Sequence, residues 1–417
     1  MKKLKIAILS YRSAPFGGGQ GVYVNDISRA LSIMGHKVDV ISGPPYPHLS
    51  DQVNLIKLPG LDLFQTFSFK ERLKIFLQKK NKKFIDFYEF SSTFFGGFPE
   101  MRTFGYRVNN FLKINNNYDV VIDNQSLSYG ILEIQKRFPF IEIIHHPISK
   151  DFKFELESAN SFLYKLSRYR WYSFLKMQKR VAKNINRIIT PSKNSLRDIV
   201  VDFGTNKENI KVINNGLDID IFIPYKEIKR TPFKLITTAS ADVALKGLDY
   251  TLKSLFILSK EFSEISLLVI GKMKNDGHTS RLIDELSIQD RVTFKTDLTK
   301  EEIAKEYASS SIAIVSSLYE GFGYPVIEAM SCEIPLIATN TASIPELVGE
   351  FANLVTPKSE NELSQSIKNI FNNYQEFEKI AESGRQHIID NFNWLKITLE
   401  YEEMIFKTIQ DFKNANL

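Results

Sequence analysis

The chain has 417 residues, of which 43% are hydrophobic, so it can bury a sizeable core and is too long for one ordinary domain. Its single cysteine, Cys332, excludes an internal disulfide framework and fits a reducing, cytoplasmic compartment. The net charge of +6 argues only weakly for an anionic partner, no apolar window reaches the ~18 residues of a membrane span, and no zinc-ligand spacing is visible.

Short apolar runs without polar alternation recur along the chain and predict buried parallel strands separated by helices. They are residues 5–10, 37–42, 119–123, 141–146 and 187–192, and then 234–240, 266–272, 291–295, 312–317 and 335–339. Turn residues and two prolines place a linker within 214–233. We therefore expect an α/β protein with two doubly wound, Rossmann-like domains, 1–220 and 225–394, facing each other across a cleft. A last helix, about 395–417, closes the second domain or packs back on the first.

A glycine-rich turn follows the first predicted strand and precedes an amphipathic helix. Gly18, Gly19 and Gly21 would let backbone amides approach an anion at the start of that helix. Val22 stands where the last glycine of a dinucleotide fingerprint would be, so a nicotinamide cofactor is not expected. A plain tight turn is the alternative interpretation.

The stretch SLYEGFGYPVIEAM, residues 317–330, places two carboxylates around a glycine turn. Pro325 suits the first position of a helix, and a helix N-terminus carries roughly half a positive charge that favours phosphate. A carboxylate beside a phosphate would be repelled, so we expect Glu320 and Glu328 to bind hydroxyl groups of a sugar or a ribose. Acidic residues that simply stabilise a helix start are the alternative.

Polar residues at other predicted strand ends and loops add candidates for binding. Lys246 stands in a loop before a predicted helix, where its ammonium group could act as a point charge on a diphosphate. Asn124 and Gln125 end another predicted strand, where contacts with an acceptor are expected. A solvated lysine and an ordinary turn are the respective alternatives.

Taken in order, these motifs resemble the family-4 glycosyltransferases of the GT-B fold over nearly the whole chain. The matching pieces are the glycine loop 17–21, IHH 144–146, TPS 190–192, NNGLD 214–218, LKG 245–247, VIGK 269–272, the long stretch 317–339 and SIPELV 343–348. The E-x7-E element within 317–339 is the most specific of them. The resemblance implies a retaining hexosyltransferase that needs no metal. Its C-terminal half would hold a nucleotide diphosphate sugar and its N-terminal half the acceptor.

The resemblance also implies roles for individual residues. Three residues would be catalytic. Glu320 would bind hydroxyl groups of the donor sugar, and His145 would lie near the reacting centre. Lys246 would hold the departing diphosphate. Donor binding would fall to Gly18, Gly19, Gly21, Gly271, Gly321, Phe322, Gly323 and Glu328. His146, Asn124 and Gln125 would support His145 or contact the acceptor, although a strand-end histidine is also often structural.

Two positions depart from the family pattern. Family members usually carry an arginine about five residues before the lysine, but here the matching positions are near Ser240 and Ala241, and Asp242 would add negative charge. Lys272 or a basic residue from the other half could supply the missing cation. Glu333 stands where a glycine is usual.

The N-terminal half is rich in basic residues. Residues 161–197 contain ten Lys or Arg and no Asp or Glu, and helical spacing predicts one cationic amphipathic helix over 161–187. A second basic run covers 70–84. An anionic bilayer would attract such segments by ~1 kcal/mol per residue, which suits a lipid-linked or negatively charged acceptor and a peripheral position at the inner membrane face. A solvated surface is the alternative, and no aromatic platform indicates nucleic acid.

The sequence thus favours a glycosyltransferase with a nucleotide sugar donor and a sugar or lipid-linked acceptor, acting in cell-surface polysaccharide or glycolipid synthesis. A nucleotide-sugar epimerase or hydrolase of GT-B shape is one alternative. A non-catalytic sugar-binding subunit is the other, and the missing arginine is its only support.

Overall fold

The computed structural model describes residues 2–14, 19–63, 66, 68–157, 159 and 161–415. The chain divides into two compact units. The first comprises residues 1–191, 195–213 and 398–417, and the second comprises residues 192–194 and 214–397. Residues 214–233, where the sequence places a linker, therefore group with the second unit.

The first unit is built on a parallel sheet with the strand order β3-β2-β1-β4-β5-β6-β7. Its strands are β1 (Lys5–Ser10), β2 (Lys37–Ser42), β3 (Asn54–Lys57), β4 (Val120–Asn124), β5 (Phe140–Ile143), β6 (Ile188–Thr190) and β7 (Ile210–Val212). The five strands predicted from apolar runs are all present. The two edge strands, β3 and β7, are short and partly exposed, so the continuous apolar signal of a central strand is missing from them.

Helices cover the faces of this sheet and enclose its core. They are α1 (Gly19–Ile33), α2 (Phe69–Gln78), α3 (Phe84–Phe94), α4 (Glu100–Ile114), α5 (Tyr129–Gln135), α6 (Ser149–Glu157), α7 (Phe162–Trp171), α8 (Leu175–Ala182) and α9 (Lys193–Phe203). On one face, Val108 and Leu112 of α4 pack with Val121 and Phe140 of the sheet.

The second unit repeats the plan with the parallel strand order β10-β9-β8-β11-β12-β13. Its strands are β8 (Lys234–Thr238), β9 (Ser266–Ile270), β10 (Val292–Lys295), β11 (Ile312–Val315), β12 (Leu336–Thr339) and β13 (Asn353–Val355). The helices are α10 (Leu248–Ser259), α11 (His278–Leu286), α12 (Lys300–Ser309), α13 (Tyr324–Ser331), α14 (Ile344–Val348), α15 (Glu360–Asn372) and α16 (Tyr374–Phe392). Successive residues of a strand point to opposite faces of the sheet and pack into different hydrophobic cores, as Ile312 and Ala313 of β11 do. Both faces of this sheet are therefore covered.

The last helix, α17 (Trp394–Ala415), belongs to the first unit from residue 398 onward. The hydroxyl groups of Tyr401 and Tyr23 form a buried hydrogen bond of 2.8 Å. The backbone amide of Leu4 donates to Nδ1 of His36, so Nε2 of this buried ring carries the proton and donates to Glu402 at 3.1 Å. These paired polar groups attach the end of the chain to the first unit.

The predicted basic helix over 161–187 is wrong as one continuous element. Helix α7 ends at Trp171, a 3₁₀ turn follows over Tyr172–Phe174, and α8 begins at Leu175. The aromatic side chains at this break pack inward: the ring of Trp171 stacks on Phe98 at 5.1 Å and Phe174 is buried. Because the helix is interrupted, the residues before and after the break no longer share one apolar face. Val181 is buried as an amphipathic helix requires, whereas Leu163 is largely exposed. No described helix has the length and apolarity needed to cross a membrane.

Adjacent glutamates in α17 test the anchoring of this helix, because Glu402 is buried against His36 whereas Glu403 is exposed. We expect Glu402→Ala to lower the free energy of unfolding by about 2 kcal/mol, since a buried N–H donor loses its acceptor. The control Glu403→Ala should stay within about 0.5 kcal/mol of the parent. Urea denaturation of both variants measures the difference, and equal losses would contradict a specific role for Glu402.

Candidate active site

In the second unit, the strand order reverses between β8 and β11, and ligands of doubly wound sheets bind outside the carboxyl ends of the strands at such a point. Lys246 ends a 3₁₀ turn that follows β8, and Glu320 lies in the loop that follows β11. The amide of Leu318 donates to the carbonyl of Leu245 at 2.7 Å and ties the two loops together. The topology thus places two of the predicted catalytic residues at one sheet position.

The structure brings Lys246 and Glu320 into direct contact. Nζ of Lys246 donates to Oε1 of Glu320 at 2.7 Å, and Oγ of Ser317 donates to the same oxygen at 2.7 Å. The Glu320 residue is only 9% exposed, so its charge is compensated largely by these two donors. Ser317 belongs to the site but was given no role in the sequence analysis, although it is the first residue of the stretch 317–330.

The glycine turn after Glu320 has the geometry that a helix N-terminus needs. Gly323 caps α13 with a φ of +119°, a conformation that side chains rarely allow. Oγ of Ser343 donates to the carbonyls of Glu320 and Phe322 and holds the turn in place. Phe322 itself is buried in the core of the second unit, so its side chain supports the turn.

Glu328 lies within α13, beside a buried tyrosine of α12. Burial raises the pKa of Tyr307, and the charge of Glu328 and a hydrogen bond to it add to the effect. The Tyr307 hydroxyl also lies 2.9 Å from Oγ1 of Thr238, at the end of β8. The predicted ribose-binding carboxylate therefore lies beside a buried tyrosine that was not singled out from the sequence.

Asp242 lies in the segment where the arginine of the family pattern is missing, and it accepts hydrogen bonds from nearby backbone amides. One carboxylate oxygen of Asp242 accepts from the amide of Thr279 at 2.9 Å and the other from the amide of Lys274 at 3.1 Å. Burial raises the pKa of Asp242, but these backbone hydrogen bonds outweigh it and lower the pKa. Lys272 is exposed just after Gly271, which itself follows β9. Whether Lys272 replaces the arginine stays a prediction.

The second departure from the family pattern has a backbone explanation. Glu333 has a φ of +54°, in the left-handed region where glycine is unstrained. Its carbonyl accepts a hydrogen bond of 2.6 Å from Arg230. This backbone conformation explains why glycine is usual at the position. The position lies in the turn after α13.

In the first unit, the strand order reverses between β1 and β4, and His145 follows the next strand, β5. Nε2 of His145 donates to Oδ1 of Asn124 at 2.8 Å. Gln125 accepts from the amide of His145 and donates to the carbonyl of His146, both at 2.7 Å. The structure therefore joins Asn124, Gln125 and His145, all predicted from the sequence, in one hydrogen-bond network.

This network leaves specific atoms for a ligand. Burial lowers the pKa of His145 to about 3, with His146 adding to the effect, so the ring is neutral at pH 7. With Nε2 donating to Asn124, Nδ1 is an acceptor. Within the described residues, Nδ2 of Asn124 is buried without a hydrogen-bond partner, which makes it a candidate donor to a sugar hydroxyl.

His146 is oriented differently from its neighbour. Its Nε2 lies 2.8 Å from Oδ2 of Asp151 in α6, and both side chains are partly exposed. The ring of His145 instead forms an edge-to-face contact with the ring of Tyr23, with 4.7 Å between the ring centroids. The two histidines therefore have different partners in the structure.

The glycine turn of the first unit is only partly described. Gly18 lies outside the described residues, whereas Gly19 is the first residue of α1. The expectation that Gly19 and Gly21 belong to a turn before the helix is therefore wrong, because both lie in its first turn. The backbone of Gly21 lies against the carbonyl of Ala14, where a Cβ would come within 2.1 Å of the oxygen.

Two buried carboxyl groups stand in β4 and β5, the strands that lead to Asn124 and His145. Asp123 of β4 is opposite Glu142 of β5 in the strand register, and neither is exposed. Burial raises the pKa of Asp123 to about 6, although donors from Ser126 partly oppose it. Burial and the charge of Asp123 raise the pKa of Glu142 well above its usual value. The raised pKa of Glu142 favours its neutral, protonated form beside Asp123. A glutamate inside the otherwise apolar strand β5 is the sequence signal that could have revealed this buried pair of carboxyl groups.

Within the described part of the chain, no group of three or more His, Cys, Asp or Glu side chains is arranged to hold a metal ion. The candidate site in each unit consists instead of hydrogen-bond donors and acceptors, with one lysine in the second unit.

Comparisons with known proteins agree on the type of protein. The family model described as Glycosyltransferase Family 4 matches residues 17–221, and that of glycosyl transferases group 1 matches residues 221–387. An MMP α-(1→4)-mannosyltransferase of Mycolicibacterium hassiacum is 38% identical over 412 residues, which are 97% of this chain and 98% of that protein.

Solved structures support the fold. Sucrose-phosphate synthase from Thermosynechococcus elongatus is similar with a TM-score of 0.75 at 19% identity, over 98% of this chain and 100% of that one. Anabaena HepE in complex with UDP-glucose gives a TM-score of 0.69 at 16% identity, over 97% and 100% of the two chains. The expected GT-B fold class, with two Rossmann-like domains, is confirmed.

The raised pKa values of Asp123 and Glu142 predict a dependence of stability on pH. Both pKa values are raised by folding, so the unfolded chain ionises first and these groups favour unfolding increasingly as the pH rises above about 4. Glu142→Gln cannot ionise, so its stability relative to the parent should increase by more than about 1 kcal/mol between pH 5 and pH 8.

Urea denaturation at the two pH values measures this difference. The exposed control Glu71→Gln should follow the parent at both. Parallel pH profiles for Glu142→Gln and the parent would show that Glu142 is not held protonated by the fold.

Proposed function

Because the chain belongs to the family-4 glycosyltransferases, we propose that it is a retaining mannosyltransferase that takes mannose from a nucleotide diphosphate donor. The name of its 38% identical relative supports mannose as the sugar and an α-(1→4) linkage. Nucleotide sugars as donors are supported by the HepE complex with UDP-glucose. The observation that carries the proposal is the cluster of Lys246, Glu320 and Ser317 where the strand order of the second unit reverses.

The contact between Lys246 and Glu320 suggests how a donor is received. Without a ligand, each side chain compensates the charge of the other at 2.7 Å. A diphosphate would take the place of Glu320 as the partner of Lys246, and the released carboxylate would accept hydrogen bonds from the hydroxyl groups of the sugar. Lys246 and the N-terminus of α13 would then stabilise the charge that develops on the departing diphosphate. In this proposal Glu328 binds the ribose hydroxyls, and no metal is required.

The first unit is proposed to bind the acceptor. His145 has its pKa lowered to about 3, which makes it a poor general base at neutral pH. We assign it a hydrogen-bonding role towards the sugar, with Asn124 and Gln125 fixing its orientation. The acceptor oxygen forms the new bond to the anomeric carbon on the face from which the diphosphate leaves. As the bond between the anomeric carbon and the diphosphate breaks, the departing diphosphate oxygen takes the proton of the acceptor hydroxyl group. This step retains the anomeric configuration.

The biological setting remains a prediction. Synthesis of a cell-surface polysaccharide or glycolipid, a cytoplasmic position and contact with an anionic membrane through the basic segments are compatible with the proposed reaction. Exposed Phe162 and Leu163 beside the exposed Lys165 in α7 are the features that favour the membrane contact.

The donor can be identified with the intact protein. In a thermal-shift panel of UDP-, GDP- and ADP-sugars, we expect one nucleotide sugar to raise the melting temperature by several degrees, because it binds only the folded state. The shift should persist with excess chelator, and release of the nucleoside diphosphate should then require an acceptor. A shift that the chelator abolishes would overturn the metal-independent mechanism, and release without acceptor would indicate a hydrolase.

The two carboxylates should separate catalysis from binding. Glu320→Gln is expected to lower kcat by about 10²–10³-fold with little change in nucleotide affinity, because it removes charge at the reacting sugar. Glu328→Gln should weaken nucleotide binding by about tenfold, the effect of one lost charge-assisted hydrogen bond. Steady-state kinetics and calorimetric titration of the nucleotide distinguish them, with the exposed Glu350→Gln as control. Equal, small effects of both changes would refute the assigned roles.

A further inference from the structure

The first unit contains a cavity of about 490 Å³ that none of the predicted site residues line. Its wall is formed by residues from α3, α4 and the start of α5, by the loop 95–99 between α3 and α4, and by the segment 170–177. This volume lies within the ~300–1,000 Å³ typical of small-molecule sites. The cavity therefore has room for a ligand the size of a sugar.

The charges that line this cavity all have one sign. Arg102, Arg170 and Lys176 contribute to its wall, and no Asp or Glu does so. These three side chains are exposed, and within the described residues no ion pair involves them. Three uncompensated cations in one concave surface produce a positive potential that attracts an anionic ligand.

Arg102 is held in place by the cavity wall. Its guanidinium group lies 5.1 Å from the ring centroid of Tyr88 and 5.5 Å from that of Tyr129, and Nη1 donates to the Tyr88 hydroxyl at 3.1 Å. A close approach of α4 and α5 positions these groups, since a Cβ on Gly130 would come within 2.1 Å of the carbonyl oxygen of Gly105. A guanidinium fixed in this way keeps further N–H groups for a planar or tetrahedral anion.

The rest of the wall is aromatic. Phe95, Phe98 and Tyr129 line the cavity, and the Phe98 ring is itself fixed by Trp171 and Phe174 at centroid distances of 5.1 and 5.7 Å. Aromatic faces pack against the C–H groups of a pyranose ring, whereas hydroxyl groups and anionic substituents bind the polar side chains. The combination fits a sugar that carries a negative charge better than a free inorganic ion or a purely apolar ligand.

We propose that this cavity binds a sugar unit that carries a phosphate, sulfate or carboxylate group, as part of the acceptor of the reaction. This inference rests on the proposed function, because an acceptor glycan is the ligand that a glycosyltransferase must bind besides its donor. Arg102 and Arg170 bind the anionic group, Lys176 adds charge, and the aromatic rings hold the sugar face. The acceptor specificity of the enzyme would then depend on charge as well as on the hydroxyl that is glycosylated.

Calorimetric titration with three soluble probes tests the cavity: mannose 6-phosphate, mannose and inorganic phosphate. We expect mannose 6-phosphate to bind at least tenfold more tightly than either of the others, and raised salt to weaken it. Arg102→Gln and Arg170→Gln should each reduce its affinity about tenfold, whereas Lys165→Gln, an exposed α7 control outside the cavity, should not. Arg170→Gln provides an independent test if loss of the Arg102 stacking impairs folding.

Vesicles of phosphatidylglycerol in phosphatidylcholine distinguish a lipid headgroup from a soluble sugar as the source of the anion. One result would overturn the sugar ligand and assign the cavity to a lipid phosphate: the parent binds the vesicles but not mannose 6-phosphate, and both arginine variants lose the vesicle binding. Affinities for mannose 6-phosphate that neither variant changes, or equal affinities for mannose and its phosphate, would overturn the proposal.

The donor assay separates this proposal from the proposed function. Thermal shifts by nucleotide sugars should be unchanged in Arg170→Gln. If the parent binds mannose 6-phosphate through the arginines but binds no nucleotide sugar, the proposed function fails while the anion site remains. If nucleotide sugars bind and the charged sugar does not, only the cavity assignment fails.

Discussion

The burial of both sheets on both faces is the constraint that determines where polar chemistry can occur in this protein. Strands such as β11 are buried along their whole length, so an unsatisfied polar side chain within them would be costly. The strand ends escape this restriction, because the chain leaves the sheet there and loops replace packed helices. Lys246 and Glu320 in the second unit, and His145 with Asn124 in the first, all lie at or just after a strand end.

Pairing of polar groups is the second feature common to both sites. Glu320 is compensated by Lys246 and Ser317, and the raised pKa of Glu142 favours a neutral carboxyl group beside Asp123. A low local dielectric strengthens each of these contacts and makes an isolated charge expensive. A ligand that replaces one partner must therefore match its charge, which suits a diphosphate at Lys246.

Much of the fold was predictable because the hydrophobic signal of a buried parallel strand is local. Ten apolar runs correspond to ten strands, with ends shifted by a few residues. The strands that were missed, β3, β7 and β13, are short and partly exposed, so they lack the continuous apolar run that marks a central strand. The basic helix over 161–187 was wrong for a related reason, since helical periodicity does not reveal that Trp171 and Phe174 turn inward and break it.

The candidate site was predicted unevenly. Resemblance to a family pattern identified Glu320, Glu328, Lys246 and His145, because the motif residues stand in recognisable local contexts. The positioning residues were harder to find. Ser317 and Tyr307 are common residue types in unremarkable positions, and their contacts join segments far apart in the chain. Asp242, expected to add negative charge near the diphosphate, is instead engaged by two backbone amides.

The amino-acid sequence by itself determined the two α/β halves, the approximate strand positions and the family to which the chain belongs, because hydrophobic periodicity and motif spacing act over a few residues. Only the tertiary structure decided which polar atoms are paired and which remain for a ligand, as with Nδ2 of Asn124. It also decided that Tyr88, Arg102, Tyr129 and Arg170 line one cavity. These properties depend on side chains brought together from distant parts of the chain, and no local pattern encodes their distances.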